Sequence, residues 1–463
     1  NMKNMSYTPF PVMHLVAGAT SLMLGSTSKI GLFSISILQS VALLAVFPIG
    51  KKLFDARTGL LAALLLTFSD YQIQWGVQVI PNVLGIVWFL LVLMALVKRD
   101  GAVDPREKLG WTISILLFLW AMLFTHTLST LALLLALLAI LMMTALLKLL
   151  GFSTSKSAVV SGALPVLFGV AMIAYWMKSF PSPEHGLFAW LILSIKSALS
   201  TAQLGSVEMV SIAGSMNAWI VFVVEAGWTL LLVPTLMGAL SSLNPKLRRA
   251  EFLIWAQLMA MFLVIVYGSA VTGVAQILPS RWVPFLYVPA CLLAASFLSR
   301  LLTAVKWKVL ISSLVVLVLS AIIILMVTSP DKSIPDSPLY ATSISVRTGF
   351  YASELSGMRH AEYAYQGPFA ASARSRLFLH MASIIDPRQP ESYESASLIV
   401  IRESDIRKGF SIPFPKQQII EVVLPTLEFL DHLNGPSRMR IYDDGTVQLF
   451  LSASYTNTVQ YPE

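Results

Sequence analysis

The stretch Gly50–Pro81, GKKLFDARTGLLAALLLTFSDYQIQWGVQVIP, decides how the chain is read. A long apolar run ends at Gly50, and Lys51, Lys52 and Arg57 follow it in a basic turn. A short apolar helix over Gly59–Phe68 comes next. It leads into a polar, aromatic segment holding Asp70, Tyr71, Gln72, Gln74, Trp75 and Gln78. Basic residues collect at the cytoplasmic ends of membrane helices. An acidic group at the opposite end is costly unless it lines water or a site. The block therefore supplies an orientation and a first candidate, Asp70: a general base, metal ligand or sugar-hydroxyl partner if functional, a helix cap if structural.

Composition places this block in a polytopic membrane protein. Of 463 residues, 56% are hydrophobic and 12% charged, about half the charged share of a soluble domain. Apolar runs of about 18–24 residues match ~30 Å of hydrocarbon. Ten can be drawn: Leu32–Ile49, Gly59–Phe68, Val83–Val97, Trp111–Phe124, Leu128–Leu147, Ser157–Met177, Ala218–Leu240, Phe252–Ala270, Val283–Leu298 and Val309–Val327. Gly59–Phe68 is too short to cross alone, so its outer end must continue into the Asp70 segment or sit where the bilayer thins. An eleventh run, Pro11–Leu24, is amphipathic and reads as an interfacial helix or partial span. The predicted fold is an α-helical polytopic membrane protein of about 10–11 membrane helices over residues 1–328, with a small C-terminal extracytoplasmic α/β domain over 329–463. The alternating ten-residue strands of a porin-like barrel are absent.

The charges are consistent with one topology. Fifteen basic residues fall in one set of loops: Lys51, Lys52 and Arg57; Lys98, Arg99, Arg106 and Lys108; Lys148 and Lys156; Lys246, Arg248 and Arg249; Arg300, Lys306 and Lys308. Lys178, Lys196 and Arg281 fall in the other. The first set is cytoplasmic by the positive-inside bias, which also accounts for the net charge of +8. No basic helix or aromatic-basic sheet pattern speaks for nucleic acid. Cys291, the only cysteine, lies in an apolar span, which excludes an intramolecular disulfide and a cysteine-based metal site. The outer face then collects the Asp70 segment, the turn at His126 and Thr127, the long loop Ser179–Ser215 with an amphipathic stretch Leu187–Leu199, and the turn before Arg281.

Beyond Ser329 the apolar runs shorten. Ser397–Ile401, Gln418–Val423, Met439–Ile441 and Val447–Leu451 read as strands, the last two joined by an Asp443-Asp444-Gly445 turn. Tyr351–Tyr363 and Thr426–Leu433 read as helices. No Gly-rich phosphate loop, zinc spacing or nucleophile elbow is present.

Few residues in the spans carry chemistry. His126 and Thr127 sit between two apolar runs with almost no loop, and Ser129 and Thr130 continue the polar face, which suits a headgroup or phosphate. Arg281 opens a span against the charge bias; it either snorkels to lipid phosphates or holds a substrate phosphate bidentately. Glu225 lies inside an apolar run and needs a partner, either a substrate group or a structural pair. Tyr71, Gln74 and Trp75 accompany Asp70 as substrate-binding candidates. The aromatic residues Tyr175, Trp176, Trp228 and Tyr267 near span ends read as an interfacial belt.

The residues YTPFPVMHLVAGATSLMLG and the Gly50–Pro81 block resemble the GT-C superfamily of membrane glycosyltransferases, nearest the dolichyl-phosphate-mannose-type and arabinosyltransferase-like members. Gly50, Lys51, Lys52, Leu53, Phe54, Arg57 and Gly59 match the family's basic turn. THTLS at Thr125–Ser129, PSRWVPFLYVP at Pro279–Pro289 and RIYDDGTVQLF at Arg440–Phe450 are similar to an outer His-Thr turn, a late P-x-R-aromatic span and a closing extracytoplasmic hairpin of archaeal members. The resemblance implies a polyprenyl- or dolichyl-phosphate-linked sugar donor, transfer on the outer face, Arg281 at the donor phosphate and His126 near it. A glycan, protein or lipid is the acceptor, and a protein complex through 329–463 is an expected partner arrangement. The residues indicate no particular cofactor, and a divalent cation, Mg2+ or Mn2+, is the candidate. The family's catalytic acid sits in the first outer loop, before the Pro-rich helix, and that loop is expected upstream of Asn1. The W-W-D signature of oligosaccharyltransferases is absent, so transfer of a single sugar is expected. Two other functions fit the same composition: a non-catalytic membrane scaffold binding a partner through its outer domain, and a lipid or polysaccharide transporter or flippase.

Overall fold

The computed structural model describes residues 10–25, 28–78, 80–151, 161–179, 218–241, 250–271, 281–304, 308–329, 358, 369–371, 383–385, 387, 389–402, 410–413, 420–423, 425–436, 438–443 and 447–452. The chain divides into two compact units, Asn1–Ser333 and Ile334–Glu463.

The described part of the first unit is helical: α1 (Val12–Met23), α2 (Ser28–Leu43), α3 (Val46–Leu53), α4 (Ala56–Thr67), α5 (Asp70–Gln78), α6 (Pro81–Gly101), α7 (Pro105–Leu123), α8 (Thr127–Leu149), α9 (Ala163–Ser179), α10 (Ala218–Ser241), α11 (Ala250–Val271), α12 (Val283–Ala304) and α13 (Lys308–Val327). Among the described residues, five stretches are long and apolar enough to cross a membrane: Gly31–Leu53, Pro81–Gly101, Thr127–Leu149, Val283–Thr303 and Val309–Val327. The protein is a multi-pass helical membrane protein. α10, at 24 residues, and α11, at 22, also have crossing length.

The first two expected spans are built differently from their hydropathy. Leu32–Ile49 is not one continuous helix: α2 stops at Leu43, and α3 restarts at Val46. Pro48 is the cause, since it has no N–H to return to the Leu44 carbonyl; Phe47 N–H closes a tighter turn onto that oxygen instead, at 3.0 Å. α4 has 12 residues, about 18 Å of helix, so it does not span alone. It does not run on into the Asp70 segment either. Phe68 and Ser69 interrupt it, and α5 is a separate helix. The Asp55 carboxylate caps α4, accepting the Thr58 N–H at 2.7 Å.

α12 forms the centre of this unit and packs against α3, α4, α5, α10, α11 and α13. In α6 and α12, 78% of the apolar stretch is buried inside the protein, against 22% in α13. The first two are core helices, and α13 turns most of its apolar surface outward. The basic turn is tight for a steric reason. A Cβ on Gly50 would lie 2.7 Å from Gly59 Cα, and a Cβ on Gly59 would lie 2.5 Å from the Phe47 carbonyl oxygen. Both glycines are needed for α3 and α4 to meet backbone to backbone.

The second unit contains a sheet in the order β2-β1-β3-β7-β6: β1 (Phe369–Ala371), β2 (Ser383–Ile384), β3 (Leu398–Arg402), β6 (Arg438–Asp443) and β7 (Val447–Ser452). β1 lies parallel to β2 and β3, whereas β7 is antiparallel to both β3 and β6. A two-stranded antiparallel pair, β4 (Phe410–Pro413) and β5 (Ile420–Val423), stands apart from it. Helix α14 (Leu427–Asn434) is capped by Thr426, whose hydroxyl accepts the Phe429 N–H at 3.1 Å. Phe429 and Leu433 pack with Tyr393, Ile399, Ile401 and Phe450 in one apolar core. The expected hairpin pairing of β6 with β7 is present; Asp444 and Gly445 of its turn lie outside the described residues, as do the Leu187–Leu199 stretch and all but Met358 of the Tyr351–Tyr363 helix. β1, β2 and β4 were not expected, being two to four residues long.

Candidate functional site

Three helices begin at one place. α6 starts with Pro81 at its first position, which needs no N–H there. α8 is capped by His126, whose Nδ1 accepts the Ser129 N–H at 3.3 Å. α12 starts at Val283, immediately after Arg281 and Trp282. Asn82, fully buried, joins all three. Its Oδ1 accepts the Ser129 hydroxyl at 2.7 Å, and Ser129 Oγ lies 3.0 Å from His126 Nδ1. Its Nδ2 donates to the Arg281 carbonyl at 3.4 Å. Gly85, one turn into α6, makes this closeness possible: a Cβ there would overlap the Ser129 side chain.

Each helix start carries the partial positive charge of its unpaired N–H groups. The Arg281 guanidinium adds a full charge, and no ion pair to it is seen among the described residues. His126 lies in the turn between α7 and α8 and is 5% exposed. Burial, and then the charge of Arg281, push its pKa down to about 3. The imidazole is therefore neutral at physiological pH and offers hydrogen bonds rather than charge. Helix N-termini with a nearby guanidinium make an environment suited to an anion.

A second polar group sits beside the first on α12. Asp70 Oδ1 accepts the Tyr287 hydroxyl at 2.6 Å and the Tyr71 N–H at 2.6 Å. Both Asp70 and Tyr287 are 1% exposed. Gln72 Nε2 donates to the Pro284 carbonyl at 3.0 Å, and Gln39 of α2 donates to the Gln72 backbone and side-chain oxygens at 3.1 Å each. α5 is thus bonded to the first two turns of α12.

The structure brings His126 and Arg281 together, and sets Asp70 and Tyr71 of α5 against Tyr287, in the second turn of α12. Tyr71 packs against Tyr287 with ring centroids 6.4 Å apart. Thr127 is the half-buried first residue of α8. Trp75 is buried with Met13, Ile35, Val83 and Leu84 in an apolar cluster between α1, α2 and α6, and its indole N–H has no hydrogen-bond partner among the described residues. Gln74 keeps a buried Oε1 with no hydrogen-bond donor among the described residues. Glu225 lies on α10, and its side chain falls outside the described residues. Among the described residues no three His, Cys, Asp or Glu side chains group as metal ligands. Asp70 Oδ1 is taken up by the Tyr287 hydroxyl and the Tyr71 N–H. Asn82 and Tyr287 were not anticipated. A Pro-Asn pair opening an apolar span was the one signal for Asn82; a lone Tyr within a span gave none.

No protein-family model and no curated protein matches the chain. Solved structures do. An oligosaccharyltransferase from Archaeoglobus fulgidus, in complex with Zn and sulfate, is similar over 91% of this chain and 66% of its own, with a TM-score of 0.52 at 11% identity. Its apo form is similar over 91% of this chain and 68% of its own, with a TM-score of 0.51 at 9% identity. ArnT from Cupriavidus metallidurans, bound to undecaprenyl phosphate, covers 99% of this chain and 90% of its own at 11% identity, with a TM-score of 0.49. The chain spans about two thirds of the length of the archaeal enzyme. The two archaeal likenesses establish architecture alone: the fold of this chain is similar to that of the Archaeoglobus fulgidus oligosaccharyltransferase structures.

Proposed function

We propose that this protein is a membrane glycosyltransferase that moves a sugar from a polyprenyl-phosphate-linked donor to an acceptor at the outer face of the membrane. The observation that carries this is the meeting of three helix starts around Arg281 and His126. A phosphate seated there is stabilised in the ground state and more strongly as it leaves, because negative charge builds on it as the bond to the anomeric carbon breaks. An acceptor hydroxyl attacks that carbon, its proton passes to a base, a new C–O bond forms, and polyprenyl phosphate departs. Arg281 holds charge; neutral His126 contributes a hydrogen bond. The donor is already activated, so no nucleotide-binding loop is called for. The GT-C fold supports the same class of reaction. Basic loops at the far ends of α6, α8 and α12 support an outward-facing site, and the same charge bias supports reading residues 329–463 as extracytoplasmic.

In this reading Asp70 is a positioning residue that holds α5 to α12 through Tyr287. Asp70→Asn keeps an oxygen for the Tyr287 hydroxyl but cannot take a proton, so transfer survives; a loss of about 10²–10⁴-fold restores the base role expected from sequence. The reading as a whole is tested with full-length protein in nanodiscs. Undecaprenyl phosphate binds to wild type and about tenfold or more weakly to Arg281→Ala. Transfer is then followed from polyprenyl-phosphate-linked mannose, glucose and arabinose. Binding and transfer that are both indifferent to Arg281 refute the site, and no transfer from any donor favours the scaffold function.

A further inference from the structure

The side chain best placed to set the geometry of this site touches no candidate ligand group directly. Asn82 is fully buried at the second position of α6. Its amide faces two ways: the oxygen takes the Ser129 hydroxyl, behind which stands His126, and the nitrogen reaches the main-chain carbonyl of Arg281. These partners are 47 and 199 residues away in sequence. Main-chain anchoring of Arg281 matters because Arg281 precedes α12, in the 3-10 turn that opens it, and its own side chain is half-exposed. A guanidinium on a long side chain is aimed by where its Cα is held. His126 is likewise aimed from behind, through Ser129, and Ser129 can reach Asn82 only because residue 85 has no Cβ.

We propose that Asn82 is a positioning residue that fixes the spacing between the Arg281 guanidinium and the His126 imidazole, and so sets the grip of the site on a lipid-linked phosphate. This rests on the phosphate function proposed above. One amide bonded on both faces spans α8 and α12, and neither arm replaces the other. An alanine removes both at once. An aspartate keeps the acceptor for Ser129 but loses the donor to the Arg281 carbonyl. Gly85→Ala disturbs only the His126 arm, because its methyl group lands on Ser129.

The experiment measures undecaprenyl phosphate affinity in nanodiscs for wild type, Asn82→Ala, Asn82→Asp, Gly85→Ala, Arg281→Ala, His126→Ala and the double variants. Asn82→Ala weakens binding about tenfold, the effect of losing a buried hydrogen-bonded partner. In the Arg281→Ala background the same change costs less than about twofold, because what Asn82 positions is gone. Gly85→Ala weakens binding in the wild-type background and not in His126→Ala. Asn82→Asp also weakens it, because the Arg281 arm is lost although the Ser129 arm is intact. A general destabilisation lowers folded yield but leaves the losses equal in both backgrounds, and that equality overturns the proposal. So does wild-type affinity in Gly85→Ala and Asn82→Asp, which also settles the matter should Asn82→Ala fail to fold. If wild type does not bind undecaprenyl phosphate, or binds it without need of Arg281, the phosphate function fails first and the Asn82 role falls with it. Binding that needs Arg281 but not Asn82 removes the Asn82 role alone.

Discussion

Replacing Gly59 with Ala places one methyl group where α3 and α4 meet through their backbones. Its carbon would stand 2.5 Å from the Phe47 carbonyl oxygen and 2.9 Å from Lys51 N. Neither atom belongs to a flexible side chain, so the helices themselves must part. Relief to an ordinary contact of 3.4 Å needs a shift of about 0.9 Å at the oxygen. Overpacking of this kind costs about 1–3 kcal/mol, and a backbone-only neighbour puts Gly59 toward the upper end. A cost of about 2 kcal/mol changes the folded-to-unfolded ratio roughly 30-fold. Gly50→Ala behaves alike, its Cβ lying 2.7 Å from Gly59 Cα. The two are not independent: a separation that clears one methyl group makes room for the other, so the double variant loses less than the sum. Reversible SDS titration in mixed micelles, followed by tryptophan fluorescence, reads all four species. Wild-type midpoints for both single variants, or losses that simply add, refute the close-approach explanation of the glycine pair.

Other expectations are as direct. Tyr287→Phe removes the hydroxyl that Asp70 Oδ1 accepts and costs about 1.5–3 kcal/mol in the same titration, with most of the loss absent when Asp70 is already Asn. Arg438 binds the carbonyls of Ala396, Tyr393 and Glu394, so Arg438→Met leaves buried acceptors unpaired; hydrogen exchange in β3 and β7 rises as stability falls by about 3 kcal/mol. His432 accepts a hydrogen bond from Arg438 Nε at 3.1 Å, and burial, then the Arg438 charge, lower its pKa against a smaller opposing pull from Glu394. The folded state therefore binds this proton less readily than the unfolded chain. The stabilisation is complete above about pH 6.5 and is lost as pH falls through the lowered value. Protection factors in α14 and β6, which allow for the slower intrinsic exchange at lower pH, accordingly fall as pH drops below about 6.5, and an unchanged fall in His432→Gln removes His432 as its origin.

Apolar length made α6, α8, α12 and α13 legible, because a core or lipid-facing helix must be apolar for its whole crossing. The break between α2 and α3 was not, although Pro48 stood in the sequence: a proline inside an apolar run is compatible with a continuous kinked helix. Trp75 shows the limit in the opposite direction. An aromatic residue amid glutamines looks like a ligand platform, yet which side of a nine-residue helix meets α2 and α6 is decided by packing. Arg281 drew attention because it runs against the charge bias and His126 because it sits in a turn with almost no loop, and the two lie near one another. Asn82 and Tyr287 escaped because their partners lie far along the chain, and a single sequence carries no record of which helix starts are neighbours.

That distance has a temporal side. The bonds from Asn82 to Arg281, from Gln72 to Pro284 and from Tyr287 to Asp70 close loops of 199, 212 and 217 residues. Synthesis at about 5–20 residues per second delivers the last partner roughly 10–40 s after the first. For most of that interval α6 and α8 exist, with Asn82, Ser129 and His126 already made and Arg281 still to come. On the function proposed above, the grip on a lipid-linked phosphate is completed only when Arg281 and α12 have been made, so the chain acquires it late in its own synthesis.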